Sequence, residues 1–316
     1  MNSSLRTVTG PLPVSAVRGP VLPHEHLALD LTRRTDREAV LRPDVHGRHV
    51  TAELTGLREE YGLALVVELT CRGMGRDPRA LARISRESGV AVVAGTGWYY
   101  GSFLPPEVHR AADAAHLAEV LVREIEDGIA GGAVRPGVIG EVGSGGERPS
   151  AAERRVLTAA ALAATATGLS VTTHAHLGVG GPAQLELLTG ARLPAHRVAI
   201  GHQDLLDDHA IHRALAAAGA YVAFDTIGKE RYTDDGTRLR LLIALLEAGF
   251  ADRVLLSCDI SRHAYLSAEG GHGYGHLFRS FLPRARAAGV DDEVIDLITR
   301  RNPLRFLSGG ASTRIG

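Results

Sequence analysis

The sequence predicts an α/β fold, a closed (β/α)₈ TIM barrel with a metal site at the C-terminal ends of its strands. Three observations point there. Eight short, apolar, β-rich segments recur along the 316 residues. Stretches of helical period separate them, and the strongest metal-ligand side chains fall where those strands end. Strands apolar on both faces and alternating with helices belong to a parallel sheet covered by helices, and eight such units imply closure rather than an open doubly wound sheet.

In chain order the strand segments are "PVLPHEHLAL", "LALVVELT", "VAVVAGTGW", "GVIGEVG", "LSVTTHAHL", "RVAIGHQD", "AYVAFDTIG" and "RVLLSCDIS". Among the helices between them, "DAAHLAEVLVREIEDGIAGG" begins at Asp113 as N-cap and runs out into glycines. "SAAERRVLTAAALAATATG" is capped by Ser150 and terminated by Gly168. No Pro/Ser-rich linker or shift in composition divides the chain, so residues 1–316 read as a single domain. "TRRTDRE", near residue 35, reads as a solvated, charge-rich surface loop.

Composition excludes several classes of function. With 45% hydrophobic and 22% charged residues the chain has ample material for a core, and its net charge of −1 offers no pull on nucleic acid or an acidic membrane. The two cysteines, Cys71 and Cys258, lie far apart and outside any CxxC, so neither a disulfide framework nor a zinc knuckle is indicated. The opening "MNSSLRTVTGPLPVSAVRG" lacks the apolar core of a signal peptide, and no apolar run is long enough to span a bilayer. A cytoplasmic protein acting on a small molecule is expected, with a homodimer possible.

A barrel strand should stay apolar until its C-terminal end, where active sites are built. In "LPHEHLALD", His24 and His26 are two residues apart and share one face of the strand, while Glu25 faces the other way. Alone, that pair fits two core histidines as well as a divalent cation. The other strand ends break the tie: strand 4 carries Glu141, strand 5 His174, strand 6 His202 and strand 8 Asp259. So many polar groups at one mouth are costly to bury unless something pairs them, and two divalent ions per chain would do so. Imidazoles and carboxylates without thiolate suit Zn²⁺ first, with Mn²⁺, Co²⁺ or Fe²⁺ as alternatives. Such ions lower the pKa of a bound water, so the implied chemistry is hydrolysis.

The loops after strands 7 and 8 carry Lys229, Arg262 and Tyr265, residue types that bind phosphate well. The competing explanation is ordinary exposed loop charge, or pairing with Glu230 and Asp234. "GTGWYYGSFLPP" concentrates Trp98, Tyr99 and Tyr100 in a chain only 4% aromatic, which makes a pocket wall with Tyr100 as a substrate contact, or simple loop packing. Glu68 is placed to orient a ligand histidine or to make a buried hydrogen bond without chemistry; Asp204 and Asp225 are placed to hold the ligands, and His176 reads as a support for them or as a loop residue. His263, His272 and His276, in a Gly-rich stretch, read as exposed or capping. Cys258 should point to the helix-packed face and be inert.

The "HEH" of strand 1, "THAH" and "GHQD" of strands 5 and 6, "FDTIGK" of strand 7 and "SCDISR" of strand 8 together resemble the phosphotriesterase family of the amidohydrolase superfamily, in order along nearly the whole chain. The resemblance implies that His24, His26 and Asp259 hold a more buried metal and His174 and His202 a more exposed one. It also implies that a metal-bridging hydroxide attacks while Asp259 takes its proton. Well-known members bridge their metals with a carboxylated lysine on strand 4; here Glu141 stands in that place, as in one branch of the family. Organophosphate-cleaving members carry a histidine on strand 7 where this chain has Thr226, which argues against triester cleavage. Lys229, Arg262 and Tyr265 resemble the branch that hydrolyses lactones of phosphorylated sugars. Two alternatives stay open. One is a hydrolase of an unphosphorylated lactone, carboxylate ester or N-acyl amide, whose cationic loop would hold a carboxylate or sulfonate. The other is a non-catalytic metal-binding barrel protein.

Overall fold

A computed structural model describes residues 4–33 and 36–310. Eight strands form one parallel sheet: β1 (Val21–Glu25), β2 (Leu65–Glu68), β3 (Ala91–Thr96), β4 (Val138–Ser144), β5 (Val171–Ala175), β6 (Val198–Ile200), β7 (Tyr221–Phe224) and β8 (Val254–Leu256). Each pairs with its neighbours in sequence, and a helix follows each of the first seven, so the expected barrel is the one observed.

Period-two alternation explains why both strand faces are apolar. Leu65 and Val67 of β2 and Val93 of β3 join Val138, Tyr221 and Leu255 in the barrel interior, whereas Val66, Val92 and Ala94 face the helices. Leu5 and Val17 from the N-terminal segment, with Leu304, Phe306 and Leu307 of the helix Asn302–Ser308, pack into that interior cluster beside the first residues of the strands. The opposite mouth is left for polar groups. Two antiparallel pairs fall outside the expectation: Ser4–Thr7 with Gly10–Pro13, and Leu29–Asp30 with Val40–Leu41.

Between β8 and β1 no ladder forms among the described residues, and a side chain makes the seam. Buried Glu25 accepts hydrogen bonds from Ser257 Oγ, Cys258 N and Ile260 N, each at 2.8 Å. His24 N donates to Ser257 Oγ at 3.2 Å and Asp259 N to the His24 carbonyl at 3.3 Å. Glu25 does face away from its flanking histidines, and it ties the first strand to the last.

Both capped helices take the expected limits. Asp113 accepts from His116 N at the start of Ala114–Asp127. Ser150 and Glu153 form a capping box on Ala151–Thr167, which ends at Gly168 in the left-handed region with φ 76°. Ser150→Ala should cost about 1 kcal/mol in chemical denaturation, with the denaturant slope unchanged. No helix among the described residues is long and apolar enough to cross a membrane.

Candidate active site

The six ligand-type residues read from the strand ends converge at the C-terminal mouth, all less than a tenth exposed. His24 lies in β1 and His26 one residue past it, Glu141 in β4, and His174 in β5. His202 and Asp259 stand beyond the short strands β6 and β8, in left-handed backbone with φ of 56° and 49°. That conformation costs a non-glycine residue of order 1 kcal/mol, and here it turns two side chains into the mouth. Gly143 permits the close approach of β4 to β5, since a Cβ there would sit 2.1 Å from the His174 carbonyl oxygen.

The hydrogen-bond network fixes which ring nitrogens face inward. Asp225 accepts from His24 Nδ1 at 2.7 Å through one oxygen and from His202 Nδ1 at 2.8 Å through the other. His26 Nδ1 donates to Thr70 Oγ1 at 2.9 Å, and that hydroxyl donates to Glu68 Oε1. With a proton on Nδ1, each of these rings, when neutral, turns the lone pair of Nε2 inward. All three point at carboxylates: His24 and His202 at Glu141 Oε2, each at 3.5 Å, and His26 at Glu141 Oε1 and Asp259 Oδ1, at 3.4 and 3.3 Å. His174 Nδ1 stands 2.7 Å from His202 Nε2 and 3.2 Å from Glu141 Oε2. His24 Nε2 and Asp259 Oδ1 are buried without any hydrogen-bond partner. Ring nitrogens and carboxylate oxygens at this range need positive charge among them, as protons on the imidazoles or as a cation in their place, and the donor set fits a divalent cation.

The titration behaviour expresses the same demand. Burial opposes charge on His26, but Asp259 and Glu141 outweigh it and push its pKa up to about 9. Burial likewise opposes His202, and Asp225 and Glu141 raise it to about 10. His174, buried and beside His202, falls to about 4 and is neutral. Burial works against ionised Glu141, yet His24, His174 and His202 hold it well below the usual carboxylate range. His24, His26 and Glu141 form one cluster able to hold an ion, Glu141, His174 and His202 a second, and His24, His202 and Asp259 a third. Glu141 is common to the first two.

A cavity of about 370 Å³ opens over this cluster, lined by His26, Glu141, His174, His202 and Asp259 below and by Tyr100, His176, Thr226, Lys229 and Arg262 above. Tyr100 stacks on His174 with ring centres 4.4 Å apart, and its hydroxyl meets His176 Nδ1 at 3.1 Å. Tyr99 OH reaches His174 Nδ1 at 3.1 Å. Both tyrosines therefore wall the cavity, while Trp98 is loop packing: fully buried, it donates from Nε1 to Glu107 at 2.6 Å.

The cationic loop differs from an array of free anchors. Lys229 is buried, ion-paired to Asp259 Oδ2, and 3.0 Å from Ser261 Oγ. Arg262 pairs with Asp36 at 2.9 Å. Neither takes Glu230 or Asp234 as partner: Glu230 accepts from Asp235 N, and Asp234 caps the helix Asp235–Glu247. Tyr265 does not line the cavity; its ring backs Lys229 and Arg262, 5.3 and 5.5 Å away. Among the remaining histidines, His276 bonds Asp235 at 2.7 Å, His272 packs between Tyr265 and His276, and His263 stacks on His46. They are partly buried packing groups rather than exposed ones. Burial pushes the Cys258 thiol well up, in keeping with an inert residue.

Two features escaped the sequence reading. Arg238 is fully buried and donates to Asp204 at 2.8 Å, Asp235 at 3.0 Å, Thr226 Oγ1 at 3.1 Å and the carbonyls of Thr233 and Lys229. Asp204 in turn accepts from the backbone of Asp225 and Thr226, so Arg238 stiffens the ground under the Asp225 that holds the His24 and His202 rings. Its signal was present: positions 238, 241, 242 and 245 form one buried face of that helix. The other feature is the loop first read as solvated surface, which turns Arg33 and Asp36 into the cavity; Arg34 and Thr35 lie outside the described residues.

The Phosphotriesterase family model matches residues 3–307. The phosphotriesterase homology protein of Escherichia coli (strain K12) is 38% identical over 288 residues, 91% of this chain and 97% of that protein. Its crystal structure, complexed with phosphate in the active site, matches with a TM-score of 0.88 at 36% identity, covering 92% of this chain and 99% of that one. N-acetyltaurine hydrolase of Rattus norvegicus is 29% identical over 347 residues, 98% of this chain and 99% of that protein. A mutant of a Deinococcus radiodurans PTE-like lactonase matches with a TM-score of 0.85 at 30% identity, covering 96% of this chain and 99% of that one. With agreement running from before the first barrel strand through the last helix, the chain belongs to the phosphotriesterase family and is a metal-dependent hydrolase.

Proposed function

We propose that this hydrolase holds two divalent ions and opens a sugar lactone that carries a phosphate. His24, His26 and Asp259 would hold one ion and His174 and His202 the other, with Glu141 between them. The ligand set suits Zn²⁺ first, then Mn²⁺, Co²⁺ or Fe²⁺. Bound there, the ions supply Lewis acidity for a carbonyl and bring the pKa of a water toward neutrality.

The observation that carries the substrate reading is the state of Arg262. Arg262 lines the cavity, and its Nε is buried and has no acceptor. A buried guanidinium N–H needs an acceptor, and an oxyanion suits it. The phosphate bound in the E. coli relative's active site and the lactonase activity named for the Deinococcus neighbour support the same choice.

Asp259 is the proton acceptor. Its Oδ1 faces His24 and His26, so the proton goes to Oδ2, which is paired with Lys229. Burial works against ionised Asp259, but Lys229 and the two histidines hold its pKa well below the usual range, making it a weak base as it stands. A substrate phosphate between Lys229 and Arg262 gives the ammonium another partner and frees Oδ2 to take the proton of the attacking water and pass it to the leaving oxygen. Tyr100 and Tyr99 fix the ring of His174 meanwhile.

Arg262→Ala should raise KM at least about ten-fold for a phosphorylated sugar lactone and leave an unphosphorylated one within about two-fold. Equal losses on both would end the anchor assignment. A second reading, an N-acyl amide hydrolase with a sulfonate at Arg262, is favoured by the full-length similarity to N-acetyltaurine hydrolase. Turnover of N-acetyltaurine in preference to every lactone in a panel would decide for it.

A further inference from the structure

Arg262 reaches the cavity with half of one edge filled. Its Nη2 donates to Asp36 Oδ2 at 2.9 Å, while the adjacent Nε–H is buried and has no acceptor. Nε and Nη2 together are an edge that a carboxylate, phosphate or sulfonate grips with two parallel bonds. One oxygen of Asp36 therefore stands on a two-oxygen site. Its second oxygen is turned away, accepting the backbone N–H of Glu38 at 3.0 Å.

Asp36 is lightly held for the partner of a mostly buried cation. Its side chain is 42% exposed, against 14% for Arg262. It belongs to a short antiparallel bridge in which Arg33 N donates to the Asp36 carbonyl at 2.6 Å and Asp36 N to the Arg33 carbonyl at 3.1 Å. The same bridge carries Arg33 into the cavity, its guanidinium resting on the Phe103 ring at 4.0 Å. The loop thus presents a carboxylate that covers Arg262 and a second cation beside it.

We propose that Asp36 is a resident counter-ion which an anionic substrate displaces from Arg262, and that it thereby sets which substrates the hydrolase accepts. This rests on Arg262 being the anion anchor and names what that anchor selects. A neutral substrate leaves the Asp36–Arg262 pair in place and gains nothing from it. An anion that makes a single bond only replaces what Asp36 already supplies. A phosphate or sulfonate takes both Nε and Nη2 and satisfies the N–H that Asp36 leaves open. The opposite role, a strut that holds the guanidinium ready, would leave the Nε–Nη2 edge clear; Asp36 sits on that edge instead.

The test is calorimetric titration of the metal-loaded enzyme with inorganic phosphate and, separately, with methanesulfonate. Wild type, Asp36→Asn, Arg262→Ala and the double variant are compared, with Asp36→Ala as a second removal of the carboxylate. Both Asp36 variants should tighten each anion by roughly three- to ten-fold, by the same factor for the two, because releasing Asp36 costs the same whichever anion arrives. In the Arg262→Ala background the gain should vanish. Unchanged or weaker binding in the Asp36 variants overturns the proposal. So does a gain for phosphate alone, which would mean that Asp36 stays in place and merely repels the more highly charged ion. If Arg262→Ala itself leaves both affinities unchanged, the anchor fails and Asp36 with it. If Arg262→Ala weakens binding while the Asp36 variants gain nothing, the anchor stands and only the counter-ion falls.

Discussion

Glu141→Gln should reduce the metal content of the purified protein from the proposed two ions per chain to one or none. It should lower kcat at least about a thousand-fold, some 4 kcal/mol of transition-state stabilisation. The glutamine side chain has nearly the same shape, so packing is preserved and the loss is one of charge and donor chemistry. Glu141 stands within 3.5 Å of inward nitrogens from His24, His26, His174 and His202, and those contacts hold its carboxyl ionised against the cost of burial. An amide in its place offers one acceptor and turns an N–H₂ toward one of those lone pairs. Elemental analysis of protein grown in added Zn²⁺ or Mn²⁺ reads the first effect and a lactone assay the second. Two ions retained with full turnover would remove Glu141 from the centre.

Asp225→Asn should be nearly as damaging, though the residue touches no candidate ion. Its two oxygens accept from His24 Nδ1 and His202 Nδ1, one each. An asparagine has one acceptor and one donor, so only one of the two histidines can keep its tautomer. The other must carry its proton on Nε2, the atom proposed to bind metal. The expected result is unequal loss: one ion weakened about 10–100-fold or more in chelator competition, the other little changed. Uniform weakening of both would point to general loosening of the barrel, and unchanged affinity would refute the tautomer argument.

Much of the centre could be read from the chain because barrel geometry converts sequence position into place. A residue at the end of a parallel strand has one destination, so His24, His26, Glu141, His174, His202 and Asp259 came together as expected. Glu68 and Asp225 were legible as supports for the same reason, although Thr70 between Glu68 and His26 was not. Loops carry no such rule. Lys229 was read as an arm for substrate, and nothing local shows that it also reaches Asp259. The charge-rich stretch around residue 35 looked solvated because nothing local shows that a loop folds inward. Its Asp36 meets Arg262 across 226 positions of sequence. Arg238 was hidden by its type, since an arginine on an apolar helix face is read as an exception until its five hydrogen bonds are seen.

The seam at Glu25 gives the centre a mechanical side. The barrel strands are zipped by main-chain ladders except between the first and the last, and there the fastening is chiefly one carboxylate, whose neighbours on either side are His24 and His26, helped by two bonds of the His24 main chain. An ion held as proposed by those histidines together with Asp259 would stitch the same two edges from the other face. Charging the enzyme with metal and locking its staves would then be a single event, and a chelator should slacken the hoop as well as silence the chemistry.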